Sequence, residues 1–459
     1  MPDPPKSVHI TNYYHKDSGG ISTSYNALLA AAARHKRPMR LIVPGETEEV
    51  EEVNEYARIY YVPAKKSVAF DKRYRVMMPW QYMLSDSIIR KILLKEKPDI
   101  VEITDKYTLS IFGPMVSRNM FKSLGRPMLV HFSCERMDDN IASFIARGRL
   151  SEWFARLVMG CYNFPSFDFH IANSPYTAEE FERSVLRKHN PRRWRRFINF
   201  CWRFFRSPMV PVRERIHICP RGVEKGRFSP ERRSPETRKE MADRAGVPEN
   251  AVLLLYAGRI SPEKNIALLA EMMKILTKSG DRDYRLLVAG AGPLEGWLKK
   301  EAEKKMPGKI RLLGHLDKDT LAGFYANADV FVHPNPKEPF GIAPLEAMAS
   351  GVPVVVPSAG GLLFYATNDN TWLRDPVAEQ FADAVEEIMS DPELREKKVA
   401  AALKTAEENT REKSTDNLIA TYDRLLEDFR TRNDLFTDTE AAKIFDFSKL
   451  VEEDPKGSS

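Results

Sequence analysis

Two carboxylates bracket the run Glu338-Pro339-Phe340-Gly341-Ile342-Ala343-Pro344-Leu345-Glu346, with six apolar residues and one glycine between them. Ala347-Met348-Ala349 continues an apolar helical pattern, then Gly351-Val352-Pro353 breaks it before the strand-like Val354-Val355-Val356. The spacing predicts a loop that runs into the first turns of a helix. Gly341 would let a ligand approach the backbone. The helix start offers unpaired N–H groups and the positive end of a dipole to an anion. Carboxylates accept hydrogen bonds from hydroxyls, so the combination suits a ligand that is part sugar and part phosphate.

Arg259 and Lys264 lie just past the predicted strand 252–257, within Gly258-Arg-Ile-Ser-Pro-Glu-Lys-Asn265. A guanidinium grips two oxygens and an ammonium acts as a point charge, so the pair suits a diphosphate. Gly19-Gly20, ahead of a helix, is a second candidate phosphate cradle. Gly290-x-Gly292-Pro293 lacks the third glycine of a dinucleotide fingerprint and reads as a tight turn. Cys134, Cys161, Cys201 and Cys219 form no C-x-x-C pattern, and neither zinc nor a disulfide framework is predicted.

These residues need elements to hold them. A chain of 459 residues is too long for one ordinary core, so two domains are expected. Short apolar strands alternate with helical stretches at 8–10, 41–43, 58–62, 99–103, 128–130 and 169–172. The rhythm restarts after Pro230 with strands at 252–257, 285–289, 310–314 and 330–332. Such βαβα alternation predicts doubly wound parallel sheets, whose ligands lie beyond the carboxyl ends of the strands. The expected division is residues 1–225, residues 226–408, and a tail 409–459 whose Leu418, Tyr422, Leu425, Leu426 and Phe429 form one helix stripe packing back on the body. Residues 451–459 read as frayed. No apolar run approaches the roughly 18–20 residues of a membrane-spanning helix. The N-terminus shows no secretory pattern, so a cytoplasmic location is expected.

Taken in order, these motifs resemble those of the retaining glycosyltransferases of family 4 (glycosyl transferases group 1). The resemblance runs from Val8 to about Met389. It is anchored on Glu338-x7-Glu346 with Gly351-Val-Pro-Val, and supported by Gly258-Arg259…Lys264, Arg221-Gly222-Val223…Phe228-Ser229-Pro230 and Gly19-Gly20-Ile21. It implies the GT-B fold, an α/β architecture of two Rossmann-like domains facing each other across a cleft. It also implies roles. Glu346 would accept from the ribose, and Glu338 would hold sugar hydroxyls with the amides around Phe340, Gly341 and Ile342. Arg259 and Lys264 would stabilise the departing diphosphate, with Gly20 approaching it. His131 would stand at a strand end near the sugar, and His315 and Leu316 would meet the base through the backbone. Several positions depart from the family pattern: Arg221, Glu224, Asn265, and the apolar Leu362-Leu363-Phe364 after Gly361.

Residues 183–215 hold eleven Lys/Arg against one acid, Glu214. That excess is larger than the +6 of the whole chain, so the remainder is net negative and nucleic-acid binding is not expected. Trp194, Phe197, Ile198, Cys201, Trp202 and Phe205 fall at helical spacing. The pattern predicts an interfacial helix on an anionic membrane, through Arg193, Trp194, Arg196, Phe197, Trp202, Arg203 and Phe205; a helix packed on the protein is the competing reading. The expected activity is retaining, metal-independent and cofactor-free transfer of a hexose from a GDP- or UDP-sugar to a membrane lipid or lipid-linked glycan. The expected setting is the inner face of a membrane. A catalytically silent sugar-nucleotide-binding protein and a UDP-sugar epimerase are the alternatives on this scaffold.

Overall fold

The computed structural model describes residues 4–15, 20–66, 75–84, 86–121, 123–144, 148–186, 192–280 and 282–451. Gly19, Ser85, residues 187–191 of the basic segment and residues 452–459 of the tail lie outside them. The chain forms two compact units, Met1–Pro220 with Thr415–Ser459, and Arg221–Ser414. The division therefore falls at Pro220/Arg221 rather than 225/226, and the tail from Thr415 onward belongs to the first unit.

The first unit is built from β1 (Ser7–Ile10), β2 (Met39–Gly45), β3 (Glu49–Asn54), β4 (Ala57–Pro63), the short pair β5 (Lys65–Lys66) and β6 (Arg75–Val76), β7 (Ile100–Ile103), β8 (Met128–Ser133), β9 (Phe169–Ala172) and β10 (Ile216–Ile218). Its main sheet has the order β10-β9-β8-β7-β1-β2-β4-β3, parallel except where β3 runs antiparallel to β4. The sequence pattern misses β3 because Glu49-Val-Glu-Glu-Val-Asn54 is polar and mostly exposed; an edge strand needs only one partner, and charge on an edge discourages pairing with other chains. The tail helix Arg411–Thr431 buries Tyr422, Leu425, Leu426 and Phe429 against Ile100, Met128, Val130, Phe169 and Ile171 of this sheet.

The basic segment forms the helix Arg192–Phe205. Its structure corrects the predicted membrane face. Trp194, Ile198, Cys201 and Trp202 are buried with Phe164, Phe181 and Phe447, and Phe205 is half-buried beside the Tyr162 ring. Trp202 stacks on Phe164 at 5.4 Å and donates Nε1–H to Gly160 O at 2.8 Å. The fully buried Arg215 lies over both rings and donates to the carbonyls of Phe164, Phe167 and Asp168. Burial lowers the Arg215 pKa to about 9. Helical periodicity shows that a stripe is covered; here the covering is the protein's own core.

The second unit has β11 (Val252–Ala257), β12 (Tyr284–Ala289), β13 (Ile310–Gly314), β14 (Val330–Val332), β15 (Val354–Pro357) and β16 (Trp372–Arg374), all parallel in the order β13-β12-β11-β14-β15-β16. Successive residues of a strand face opposite layers. Leu253, Leu255 and Ala257 of β11 pack with the layer that holds the helix Ile342–Ala349, and Leu254 and Tyr256 with the layer that holds the helix Ile266–Ser279. The helix after β11 and the helix after β14 thus lie on opposite faces. That makes the β11/β14 border the topological switch point, where the loops diverge and leave room for a ligand. Among the described residues, no helix is long and apolar enough to cross a membrane.

Because Trp202 has lost all solvent exposure and anchors an aromatic stack, Trp202→Ala should cost about 3–5 kcal/mol of first-unit stability, measured as a lowered urea midpoint; a shift within error would show that the stack carries no weight.

Candidate active site at the switch point of the second sheet

Two loops meet beyond the carboxyl ends of β11 and β14. The first carries Gly258, Arg259 and a short 3-10 turn Pro262–Lys264. The second carries His333, Asn335 and Glu338 and ends at Gly341, where the helix Ile342–Ala349 starts. Asn265 joins them. It adopts φ +53°, the left-handed region that asparagine tolerates, and its amide donates to Pro334 O at 3.1 Å. The Asn265 departure from the family pattern is therefore compatible with a left-handed turn, and it adds a tie between the loops.

Glu338 is the hub. Its Oε2 accepts from Lys264 Nζ at 2.7 Å and from Asn335 Nδ2 at 2.9 Å, and His333 Nε2 approaches it at 3.3 Å. Burial raises its pKa, but Lys264 and His333 outweigh that and hold the carboxyl well below the ordinary value. Among the described residues no hydrogen bond is directed at Oε1, so one oxygen is anchored and the other can take a ligand hydroxyl. Asn335 and His333 escaped the sequence reading. Their only signal is the strand-end position in His333-Pro334-Asn335-Pro336, since Asn335 works through a tertiary contact.

Gly341 has φ +85°, and no side chain caps the helix that follows. A Cβ there would sit 2.9 Å from the Tyr365 hydroxyl and 3.3 Å from Glu338 Cγ, so only glycine fits. Tyr365 donates to Gly341 O. The amides of Ile342 and Ala343 at the first turn are left for an anion or hydroxyl. Phe340 is buried against Tyr365. The Gly360-Gly361 turn is tied back by Gly361 N–H to Glu338 O at 2.7 Å, which sets Leu362 in the core and leaves Leu363 and Phe364 exposed beside the site.

Glu346 sits one helix face further on and accepts from the Tyr325 hydroxyl at 3.3 Å. Burial raises its pKa to about 7; Arg411, Tyr325 and Lys318 pull it down, and Glu224 pushes it up. Glu224 itself binds Arg411 at 2.5 Å and Arg227 at 3.1 Å. The second departure from the family pattern is thus the counter-charge of the arginine that faces Glu346. Arg259 is half-buried, and its carbonyl accepts from the Tyr256 hydroxyl at 2.9 Å. At the end of β13, His315 is exposed and the Leu316 side chain is in the core, so a base could meet only the backbone of Leu316. Gly290 is a packing glycine: a Cβ on it would lie 1.9 Å from Gly258 O. The chain spells Asp-x-Asp twice, at 281–283 and at 317–319. Asp317 caps the helix Lys318–Asn327, and Asp283 binds Arg285 and Lys309 ahead of β12.

In the first unit, His131 does not occupy the expected strand end. β8 continues to Ser133, so His131 is fully buried among Phe167, His170 and Phe181. Burial and Lys106 lower its pKa, and its side chain is closed off from solvent. The strand end is instead Cys134-Glu135-Arg136. Tyr13, past β1, donates to Glu135 at 3.4 Å, and Lys106, past β7, binds the buried Glu180 at 2.6 Å. Gly20 is the first residue of the helix Gly20–Arg34.

Two units, each with a Rossmann-like parallel sheet, and a carboxylate–lysine hub at a switch point define the GT-B class of sugar-nucleotide enzymes. Residues 237–405 match the family model "Glycosyl transferases group 1". The chain is 28% identical over 415 residues, 90% of its own length and 95% of the other's, to a GDP-mannose-dependent alpha-(1-6)-phosphatidylinositol dimannoside mannosyltransferase of Mycobacterium tuberculosis. It is 38% identical over 141 residues, 31% of this chain and 30% of the other, to a GDP-mannose-dependent alpha-mannosyltransferase of Corynebacterium glutamicum. Its fold is similar to sucrose-phosphate synthase from Thermosynechococcus elongatus (TM-score 0.67, 17% identity, 92% of this chain and 99% of that one). It is also similar to the catalytic domain of starch synthase IV from Arabidopsis thaliana (TM-score 0.66, 14% identity, 94% and 100%). The protein is a nucleotide-sugar glycosyltransferase whose second unit carries the stretch that matches the group 1 model.

The raised Glu346 pKa has a consequence for stability. The folded state holds this proton more tightly than the unfolded chain, whose glutamate titrates near 4.5. The stabilisation is complete below that value and is lost as pH rises through about 7, a total on the order of 3 kcal/mol. Urea titrations of the ligand-free protein across this range should therefore show a steeper decline for the wild type than for Glu346→Gln. Parallel curves would refute the assignment.

Proposed function

We propose that the protein transfers mannose from GDP-mannose to a lipid-borne acceptor, with retention at the anomeric carbon and without a metal. The observation that carries this reading is the Glu338 carboxylate, pinned through Oε2 by Lys264 and Asn335 with Oε1 open. The donor and acceptor classes follow from the mycobacterial relative, whose name gives GDP-mannose as donor and a phosphatidylinositol dimannoside as acceptor.

The chemistry follows from charge. Cleaving the bond between sugar and diphosphate leaves negative charge on the diphosphate and positive charge on the anomeric carbon. Arg259, Lys264 and the free amides at the start of the helix Ile342–Ala349 meet the departing oxygens, which is preorganised electrostatic stabilisation. They supply the positive charge that a divalent ion would otherwise provide. Glu338 Oε1 orients the sugar, and Glu346 accepts from the ribose in its ionised form.

Glu338→Gln would have to turn its amide oxygen toward Lys264 and Asn335, leaving an N–H₂ where the sugar hydroxyl needs an acceptor. This variant should keep GDP affinity while losing about 10²-fold or more in kcat, and Lys264→Ala should lose a similar factor. The check is transfer of labelled mannose from GDP-mannose into lipid extract in the presence of EDTA. In the same preparation, GDP at ~100 times its dissociation constant should stabilise the protein by ~2.7 kcal/mol, and UDP and ADP by less. Near-normal turnover of Glu338→Gln, or a requirement for added metal, would overturn the proposal.

A further inference from the structure

The helix Arg192–Phe205 is apolar on two sides. With Trp194, Ile198, Cys201 and Trp202 in the core, its outward face carries Arg193, Arg196, Phe197, Phe200 and Phe204, all exposed. Their spacing of three, four, seven and eleven residues from Arg193 is that of one helical face. Phe200 is 67% and Phe204 53% exposed, a large outlay of aromatic surface for a single helix. The face continues onto a neighbouring element. Arg203 donates to the carbonyls of Ile444 and Phe445, and Ile444 is 80% exposed. On the other side Arg118 lies 4.5 Å over the Phe204 ring and donates to Phe204 O.

The cations around these rings are sparsely neutralised: among the described residues, the Asp446 carboxyl is lowered in pKa by several groups, Arg203 the least of them. Arg118, Arg193, Arg196, Arg203 and Arg206 form no ion pair with any described residue. Those of them that bond do so to backbone carbonyls, as Arg206 does to Arg203 O. Arg118 has a lowered pKa, first from burial and then from the charge of Arg206. A like-charged cluster with no ion pair to a described residue, set around exposed aromatics, calls for an anionic partner with an apolar interior.

We propose that Phe197, Phe200, Phe204 and Ile444, ringed by Arg118, Arg193, Arg196, Arg203 and Arg206, dock this protein on an anionic phospholipid bilayer. The rings enter the headgroup boundary and the guanidiniums bind lipid phosphates. This surface lies wholly in the first unit and does not depend on the transfer reaction. It replaces the stripe of Trp194 and Trp202, which the core occupies.

The test is co-sedimentation of the full chain with vesicles, without donor. Wild type should pellet with vesicles of equal parts phosphatidylcholine and phosphatidylglycerol, more weakly as salt rises, and poorly with phosphatidylcholine alone. The double variant Phe200→Ser/Phe204→Ser should lose at least about tenfold in partitioning, and Arg193→Gln/Arg196→Gln about fivefold for each charge removed. Both replace exposed groups, so thermal unfolding and GDP binding should stay at the wild-type level, which separates lost docking from lost folding or chemistry. The proposal is overturned if wild type ignores anionic vesicles, or if the variants bind them unchanged. It is also overturned if the patch instead mediates self-association that Phe200→Ser/Phe204→Ser abolishes, or if soluble RNA displaces the vesicles at equal charge.

Discussion

Lys264 and Glu338 stand 74 residues apart in the chain and 2.7 Å apart in space. The rest of the site is arranged around that pair. It forms because β11 and β14 are neighbours in the sheet while the helices that follow them leave on opposite faces. Two loops are thereby brought together and tied by the Asn265 amide to Pro334 O. A carboxylate at such a point would be costly to bury alone. Lys264 and Asn335 neutralise and orient it, and the cost is offset by hydrogen bonds on one oxygen. The asymmetry leaves the other oxygen free for a hydroxyl. Glycine at 341, asparagine at 265 and the return of Gly361 N–H to Glu338 O each serve to hold this loop where the pair requires it.

Glu338 and Glu346 are eight positions apart and live in opposite electrostatic states. Both are buried enough for their protons to be favoured. Glu338 faces a lysine at hydrogen-bonding distance and stays ionised, whereas Glu346 accepts from the Tyr325 hydroxyl and feels, beside Lys318, an arginine whose charge is shared with Glu224. Two carboxylates on one short motif thus acquire different tasks through their surroundings. One is fixed as an anion; the other changes protonation near neutral pH.

The first unit shows how far pattern reading carries and where it stops. The strands at 8–10, 41–43, 58–62, 99–103 and 169–172 were legible because fully buried parallel strands are short apolar runs. His131 was misplaced because β8 continues through Phe132 and Ser133, and strand ends are set by the neighbouring strand as much as by residue type. The helix Arg192–Phe205 was legible as a helix with an apolar stripe. Its stripe was assigned to lipid although Trp202 belongs against Phe164 and Arg215. A hydrophobic face states that water is excluded and does not state by what.

What the amino-acid order determined by itself is the class: two doubly wound parallel sheets, Glu338 and Glu346 on one loop–helix, and Arg259 and Lys264 after a strand. These depend on local periodicity, turn residues and spacing, all of which are properties of contiguous chain. Only the tertiary structure decided that Asn335 and His333 serve Glu338, that Asn265 ties two loops together, that Glu346 is held near neutrality, and which face of the basic helix remains outside. Each of those is a through-space relation between residues far apart in sequence. Burial and charge act over a few ångströms of space, and the order of residues does not record that distance until the chain has folded.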